Sequence, residues 1–177
     1  MTQPTGTRLR TAVAVDAAQL ADFAARTFCE TFAAGNTAED MRRHLETTFS
    51  PEKQRRELED PSMLTLVLED ATGRWAGFAQ LRGGRISDGV PRENAIELYR
   101  FYIDRPWHGR GLATDLMNAV KQRARERGAA GIWLGVWESN ARAQAFYRKH
   151  GFSKVGQQVF VVGSDPQTDH VMWCPLT

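Results

Sequence analysis

The chain has 177 residues, a length that suits a single domain able to bury its own core. Its 42% hydrophobic and 25% charged residues exclude a disordered tract and a membrane-embedded chain. A formal charge of +2 does not mark a nucleic-acid binder, and the basic run Lys121, Arg123, Arg125 and Arg127 shares its helix with Glu126 as a solvated face would.

The opening MTQPTGTRLR lacks the apolar core of a signal peptide, and no run is long enough to span a bilayer, so no membrane partner is expected. Residues 1–7 read as a flexible N-terminus and 8–177 as one domain. LRTAVAV (9–15) reads as a strand. In DAAQLADFAARTFCETF, Leu20, Phe23, Ala24, Thr27 and Phe28 fall on one helical face. Gly35-Asn36-Thr37 breaks that helix. AEDMRRHLETTF and SPEKQRRELED follow as shorter helices, the second opened by Ser50 as cap and Pro51 in the first turn.

MLTLVLED and RWAGFAQLRG form a hairpin across Ala71-Thr72-Gly73, and GGRISDGVPRE (83–93) reads as a mobile loop. NAIELYRFYID is a long strand, and LATDLMNAVKQRARERG a helix with Ala113, Leu116, Met117, Val120 and Ala124 inward and Gly128 at its end. AAGIWLGVWE is a strand and ARAQAFYRKHG a helix. FSKVGQQVFVV and HVMWCPL close the chain as an antiparallel pair across SDPQTD. The order is that of a mixed α/β domain with a parallel pair in the strand–helix–strand unit at 94–138. HVMWCPL is either a core strand or one that pairs with a second chain to make a homodimer.

Cys29 and Cys174 form no CxxC, and His44, His108, His150 and His170 have no metal-ligand spacing. Two reduced thiols in a cytoplasmic protein without a metal are expected. The informative stretch is WHGRGLA (107–113). Glycines there let the backbone take positive φ and approach a ligand, and the first amides of the following helix lack intrahelical partners. The stretch is either a tight connection or an anion cradle made by the amides of 109–113, with the Arg110 side chain beside it. It is neither a P-loop nor a dinucleotide fingerprint. One strand later, Asn140 and Tyr147 are seven apart and share a helix face. Taken singly, they read as an N-cap and a core aromatic.

Together these residues resemble the GCN5-related N-acetyltransferase (GNAT) family over about 8–176, most specifically over 94–152. The resemblance implies a single-domain α/β fold, with a mostly antiparallel sheet splayed at a central parallel pair and flanked by helices. It implies acetyl-CoA as co-substrate, bound by backbone groups of Phe101, Tyr102 and Ile103 and by the amides of Gly109, Arg110, Gly111, Leu112 and Ala113. His108 stands where the family carries Gln or Arg. Asn140 matches the pantetheine-side asparagine, and Tyr147 the general acid that protonates the departing thiolate. Lys149 either reaches the CoA phosphates or is a solvated lysine.

Attack on the thioester needs a neutral amine. An alkylamine of pKa ~10 arrives protonated, while a phenol of pKa ~10 is able to donate at neutral pH. Glu97, on the strand that would carry the bulge, is the candidate base; otherwise it pairs with Arg100 or another cation. The acceptor implied is a primary amine of a small molecule. The stretch 27–61 with AIELYRFYID is loosely similar to the polyamine acetyltransferase branch, and Glu30, Glu39, Asp40, Glu46 and Glu93 either offer carboxylates for such a ligand or are ordinary surface carboxylates. A protein or peptide acetyltransferase and a non-catalytic CoA-binding sensor are the alternatives.

Overall fold

Seven of the apolar-rich segments pair into one sheet in the computed structural model, which describes residues 6–176. The strands are β1 (Arg8–Thr11), β2 (Met63–Glu69), β3 (Trp75–Arg82), β4 (Ala95–Ile103), β5 (Gly131–Trp137), β6 (Ser153–Val162) and β7 (Asp165–Pro175), in the spatial order β1-β2-β3-β4-β5-β7-β6. Helices α1 (Ala17–Phe32), α2 (Ala38–Thr48) and α3 (Pro51–Glu59) precede β2; α4 (Leu112–Glu126) and α5 (Ala141–Lys149) flank β5 in sequence. Every pairing is antiparallel except β4 with β5, the two strands joined by the α4 crossover.

The sheet separates two cores. On one face Leu112, Leu116, Met117 and Val120 of α4 pack with Leu81, Leu98, Ile132 and Leu134. On the other, Leu20, Phe23, Ala24 and Phe28 of α1 pack with Met41, Phe49, Val67 and Phe78. Each large side chain so buried contributes about 1.5–3 kcal/mol, which fixes both helix layers against the sheet between them. Local signals agree with this packing: Ser50 Oγ accepts from Lys53 N at 3.2 Å to start α3, and Gly128 sits at φ +73 just beyond α4.

Three expectations need correction. The first strand ends at Thr11 rather than residue 15, because Asp16 Oδ2 accepts from Val13 N and from Arg10 at 2.8 Å each, folding 13–16 back as a 3-10 turn. The loop 83–93 is docked rather than loose: Val90 is buried, Arg85 O accepts from Trp133 Nε1 at 3.1 Å, and a Cβ on Gly89 would fall 2.3 Å from Val155 O. The last hairpin turns at Gly163-Ser164, and DPQTD belongs to β7. Of the two alternatives for HVMWCPL, the core strand is the one observed, since β7 is paired along both edges, to β5 and to β6. Of the expected N-terminal segment, residues 1–5 lie outside the described residues, and Thr7 is fully buried.

One irregularity positions the site. β4 and β5 pair only over Ala95↔Gly131, Ile96↔Ile132 and Glu97↔Trp133. Against β3, Leu81 pairs with Leu98 but Gln80 pairs with Arg100, leaving Tyr99 as the extra residue of a β-bulge. A bulge bends its strand and raises its twist. Beyond Glu97, β4 therefore diverges from β5, and the sheet opens.

Candidate active site

The opening between β4 and β5 continues into a cleft of about 760 Å³ that passes from one face of the sheet to the other. On the α4/α5 side it is lined by Gly109, Gly111, Leu112, Ala113, Asn140, Arg142 and Tyr147. On the α1 side the lining includes Phe28, Glu30, Glu97, Tyr102, Gln158 and Asp169.

The mouth of α4 is built for an anion. Gly109 and Gly111 have φ of +76 and +84, and a Cβ on either would meet no atom within 4 Å. The backbone N–H groups of 109–113 make no hydrogen bond among the described residues, whereas Thr114 N and Asp115 N already bond Gly111 O. Five unpaired donors around open space at a helix N-terminus fit a pyrophosphate, which the macrodipole also favours. Arg110 is turned away, its guanidinium 5.1 Å from the Trp107 ring centroid, and only its amide faces this space. Lys149 is exposed and lies outside the cleft lining.

His108 is a brace. Its Nε2 lies 2.8 Å from Ile103 O, and its Nδ1 lies 3.2 Å from Arg142 Nη2. Because the guanidinium only donates, Nδ1 accepts and Nε2 carries the proton, a tautomer assigned from these partners. The ring thus ties the end of β4 to α5 beside the cradle, and the Ile103 carbonyl is bonded within the protein. Phe101 and Tyr102 keep their backbone along the diverging edge. Arg142 and Arg105, which the sequence reading did not select, both line the cleft.

Asn140 caps α5 and also lines the cleft. Its Oδ1 accepts from Ala143 N at 3.0 Å, capping α5, which leaves its amide N–H₂ toward the cleft. Tyr147 projects from the same helix face and is held edge-on by Phe101 and Phe152, at centroid distances of 6.4 and 5.7 Å. Burial holds its hydroxyl above the usual phenol range, and that hydroxyl has no protein partner among the described residues. It is therefore a protonated donor facing the cleft.

On the opposite side, Glu97 is buried and its Oε2 takes two bonds from Arg82, 2.8 Å from Nε and 2.7 Å from Nη2. Its cation is thus Arg82 rather than Arg100, which is turned to Glu57, Gln80 and Gln54. Burial still pushes the Glu97 carboxyl up, against the lowering influence of Arg82. Of the five acids offered earlier for a cationic ligand, only Glu30 lines the cleft. Glu39 and Glu46 pair with Arg42, Asp40 binds Ser164, and Glu93 is exposed in the loop. The sequence reading missed Asp169, which lines the cleft with only 7% of its surface exposed.

Comparison with known proteins bears directly on this geometry. The model of the acetyltransferase (GNAT) family matches residues 18–152, which span the split strands, the glycine cradle and both Asn140 and Tyr147. The chain belongs to that family. It is an acetyl-CoA-dependent N-acetyltransferase. It is 33% identical over 146 residues to an uncharacterized N-acetyltransferase of Lactobacillus delbrueckii subsp. lactis, covering 82% of this chain and 84% of the relative. Its fold matches that of the PaiA N-acetyltransferase from Thermoplasma acidophilum, solved in complex with coenzyme A. The TM-score is 0.78 at 21% identity, with 96% and 98% of the chains covered. A spermidine N-acetyltransferase chimera from Vibrio cholerae superposes with a TM-score of 0.67 at 19% identity, over 97% of this chain and 94% of the other. In this acetyltransferase the cradle and the slit suit a pyrophosphate with an extended arm, so acetyl-CoA fits the α4/α5 side. Among the described residues no helix is long and apolar enough to cross a membrane.

Proposed function

We propose that this acetyltransferase moves the acetyl group of acetyl-CoA directly to a primary amine of a small molecule, a polyamine being the candidate class. The observation that carries this reading is the β6–β7 hairpin tied to α2 beside the cleft. The tip of the β6–β7 hairpin is fastened to α2, with Ser164 N and Oγ both donating to Asp40 Oδ1 at 2.7 Å. Nearby, Gln167 Nε2 donates to Asn36 Oδ1 at 2.7 Å. The cleft here is lined by Phe28 and Phe32 of α1, Phe160 of β6 and Trp137, a lining that suits a small amine.

In this reading the amides of 109–113 hold the pyrophosphate, and the backbone of Phe101 and Tyr102 with the Asn140 amide aligns the pantetheine arm. A backbone N–H at the diverging edge of β4 stabilises the developing oxyanion. Tyr147 donates the proton that the departing sulfur needs. A carboxylate on the α1 side takes a proton from the incoming ammonium group, and the two buried ones there are Glu97 and Asp169.

Release of free thiol from acetyl-CoA, followed across polyamines, amino acids, aminoglycosides and lysine peptides, tests the proposal. Spermidine and 1,4-diaminobutane should drive release. Release with peptides alone would make this a protein acetyltransferase, and tight CoA binding without acceptor-dependent release would make it a sensor.

A further inference from the structure

Two carboxylates face the acceptor side of the slit, and their surroundings differ. Glu97 already holds Arg82, and its bonds saturate one oxygen with a guanidinium. The Asp169 carboxylate has neither an ion pair nor a side-chain hydrogen bond among the described residues, although the residue is more than nine-tenths buried. Its oxygens open to the cleft rather than being sealed in the core, and a largely desolvated carboxylate is costly and is normally compensated by a partner. Here no side chain of the protein supplies one.

The surroundings preserve that vacancy in partners. Asp169 stands on β7 opposite Trp137, and its carboxylate lies over Gly135, where a Cβ would come within 2.9 Å of Oδ2 and 2.5 Å of Gln158 Nε2. Any larger residue at 135 would occupy the ground this carboxylate uses. Burial raises the phenols of Tyr102 on β4 and Tyr147 on α5, with smaller contributions from the Asp169 charge at Tyr102 and from Tyr102 at Tyr147. All three line the same cleft. The groups beside the carboxylate are the neutral Gln158 on β6 and Gly135 and Trp137 on β5. Elsewhere along the cleft Glu30 of α1 is engaged with Arg26, and Arg85, Arg105 and Arg142 line it without pairing to Asp169. Arg82 and Arg100 are committed to Glu97 and Glu57.

We infer that Asp169 is the residue that receives the acceptor: it pairs with the incoming ammonium group and takes a proton from it. This rests on the amine-acetylating reading above and divides the work of the two carboxylates, Glu97 fixing Arg82 and Asp169 acting on the substrate. The step balances. The ammonium nitrogen passes one proton to an Asp169 oxygen, giving a neutral amine and a neutral carboxyl. The amine lone pair forms the N–C bond at the thioester carbonyl, the C–S bond breaks, and its electron pair leaves with sulfur. Tyr147 protonates the sulfur, and the surplus proton on the new amide nitrogen restores the phenol. Asp169 returns its proton to water. Burial pushes the Asp169 carboxyl up to about 6, so it is ionised at neutral pH yet basic enough to accept.

Asp169→Asn keeps the shape and removes the charge. With 1,4-diaminobutane as acceptor, kcat/KM should fall about 100-fold or more, the scale of a lost general base. The acidic limb of the wild-type profile should disappear, and acetyl-CoA binding should be retained. Glu97→Gln should keep that limb. A second arm does not depend on turnover: calorimetric titration of 1,4-diaminobutane into the CoA-saturated protein. Wild type should bind the diamine, Asp169→Asn should bind it about tenfold more weakly or worse, and 1,4-butanediol should bind neither. Equal diamine affinity in both proteins, or an unchanged kcat/KM and acidic limb, overturns the assignment. Absence of amine-dependent thiol release from wild type would instead count against the proposed function, and the titration would still decide Asp169.

Discussion

Asp169→Asn should stabilise the protein while disabling it, because the native fold holds a carboxylate in a place that disfavours its charge. An ordinary aspartate ionises near 3.8, and burial in the cleft moves this one to about 6. At 1.36 kcal/mol per pH unit that displacement corresponds to a native-state penalty of up to about 3 kcal/mol. Its sign follows from proton counting. Between about pH 4 and 6 the folded protein holds a proton that the unfolded chain has released, so stability falls as pH rises through that window. Below it both states are protonated and the penalty vanishes; above it the penalty is complete. The asparagine variant should therefore match wild type near pH 4 and exceed it at pH 8. For a chain of this length, up to about 3 kcal/mol is a gain in Tm on the order of 5–10 °C. Thermal melts of both proteins at pH 4, 6 and 8 measure it. A variant less stable than wild type at pH 8 would mean the carboxylate makes favourable bonds in the fold, which would refute both the penalty and the vacancy it leaves for an ammonium group.

Tyr147→Phe should lower kcat by about 10²–10³ with acetyl-CoA affinity nearly kept, as steady-state kinetics and CoA titration would show. Glu97→Gln should weaken the grip on Arg82, costing about 1–2 kcal/mol in denaturant melts, with kcat reduced less than about tenfold. Gly111→Ala puts a side chain at φ +84 and into the space above the α4 amides. It should cost about 1–2 kcal/mol of stability and raise KM for acetyl-CoA about tenfold or more. His108→Ala removes the brace between Ile103 and Arg142, and should raise KM for acetyl-CoA several-fold with kcat largely kept.

The parts of the site that rest on local rules were legible before the fold was. Glycines before a helix, an asparagine at a helix start and a tyrosine two turns on all act through backbone geometry within one segment, and the structure brings these segments to one side of one cleft. What escaped depends on chain crossings. Asp169 lay in what read as a polar turn, SDPQTD. Only the tight turn at Gly163-Ser164, gripped by Asp40, turns those residues into strand and carries Asp169 beside β5. The partner of Glu97 is set by the β3–β4 register, where Arg82 stands opposite it, and not by any spacing along one strand. The brace at His108 likewise joins three segments whose neighbourhood the sequence alone does not give. Of the two readings of the α2 acids, the surface one holds: Glu39 and Glu46 pair with Arg42 on the helix itself.

The most direct test is a stoichiometry. Purified protein incubated with acetyl-CoA and spermidine should yield mono-acetylated amine, identified by mass spectrometry, in equal amount to the CoA thiol released. Thiol release without acetylated amine, or acetylation confined to lysine side chains of peptides, would contradict the account.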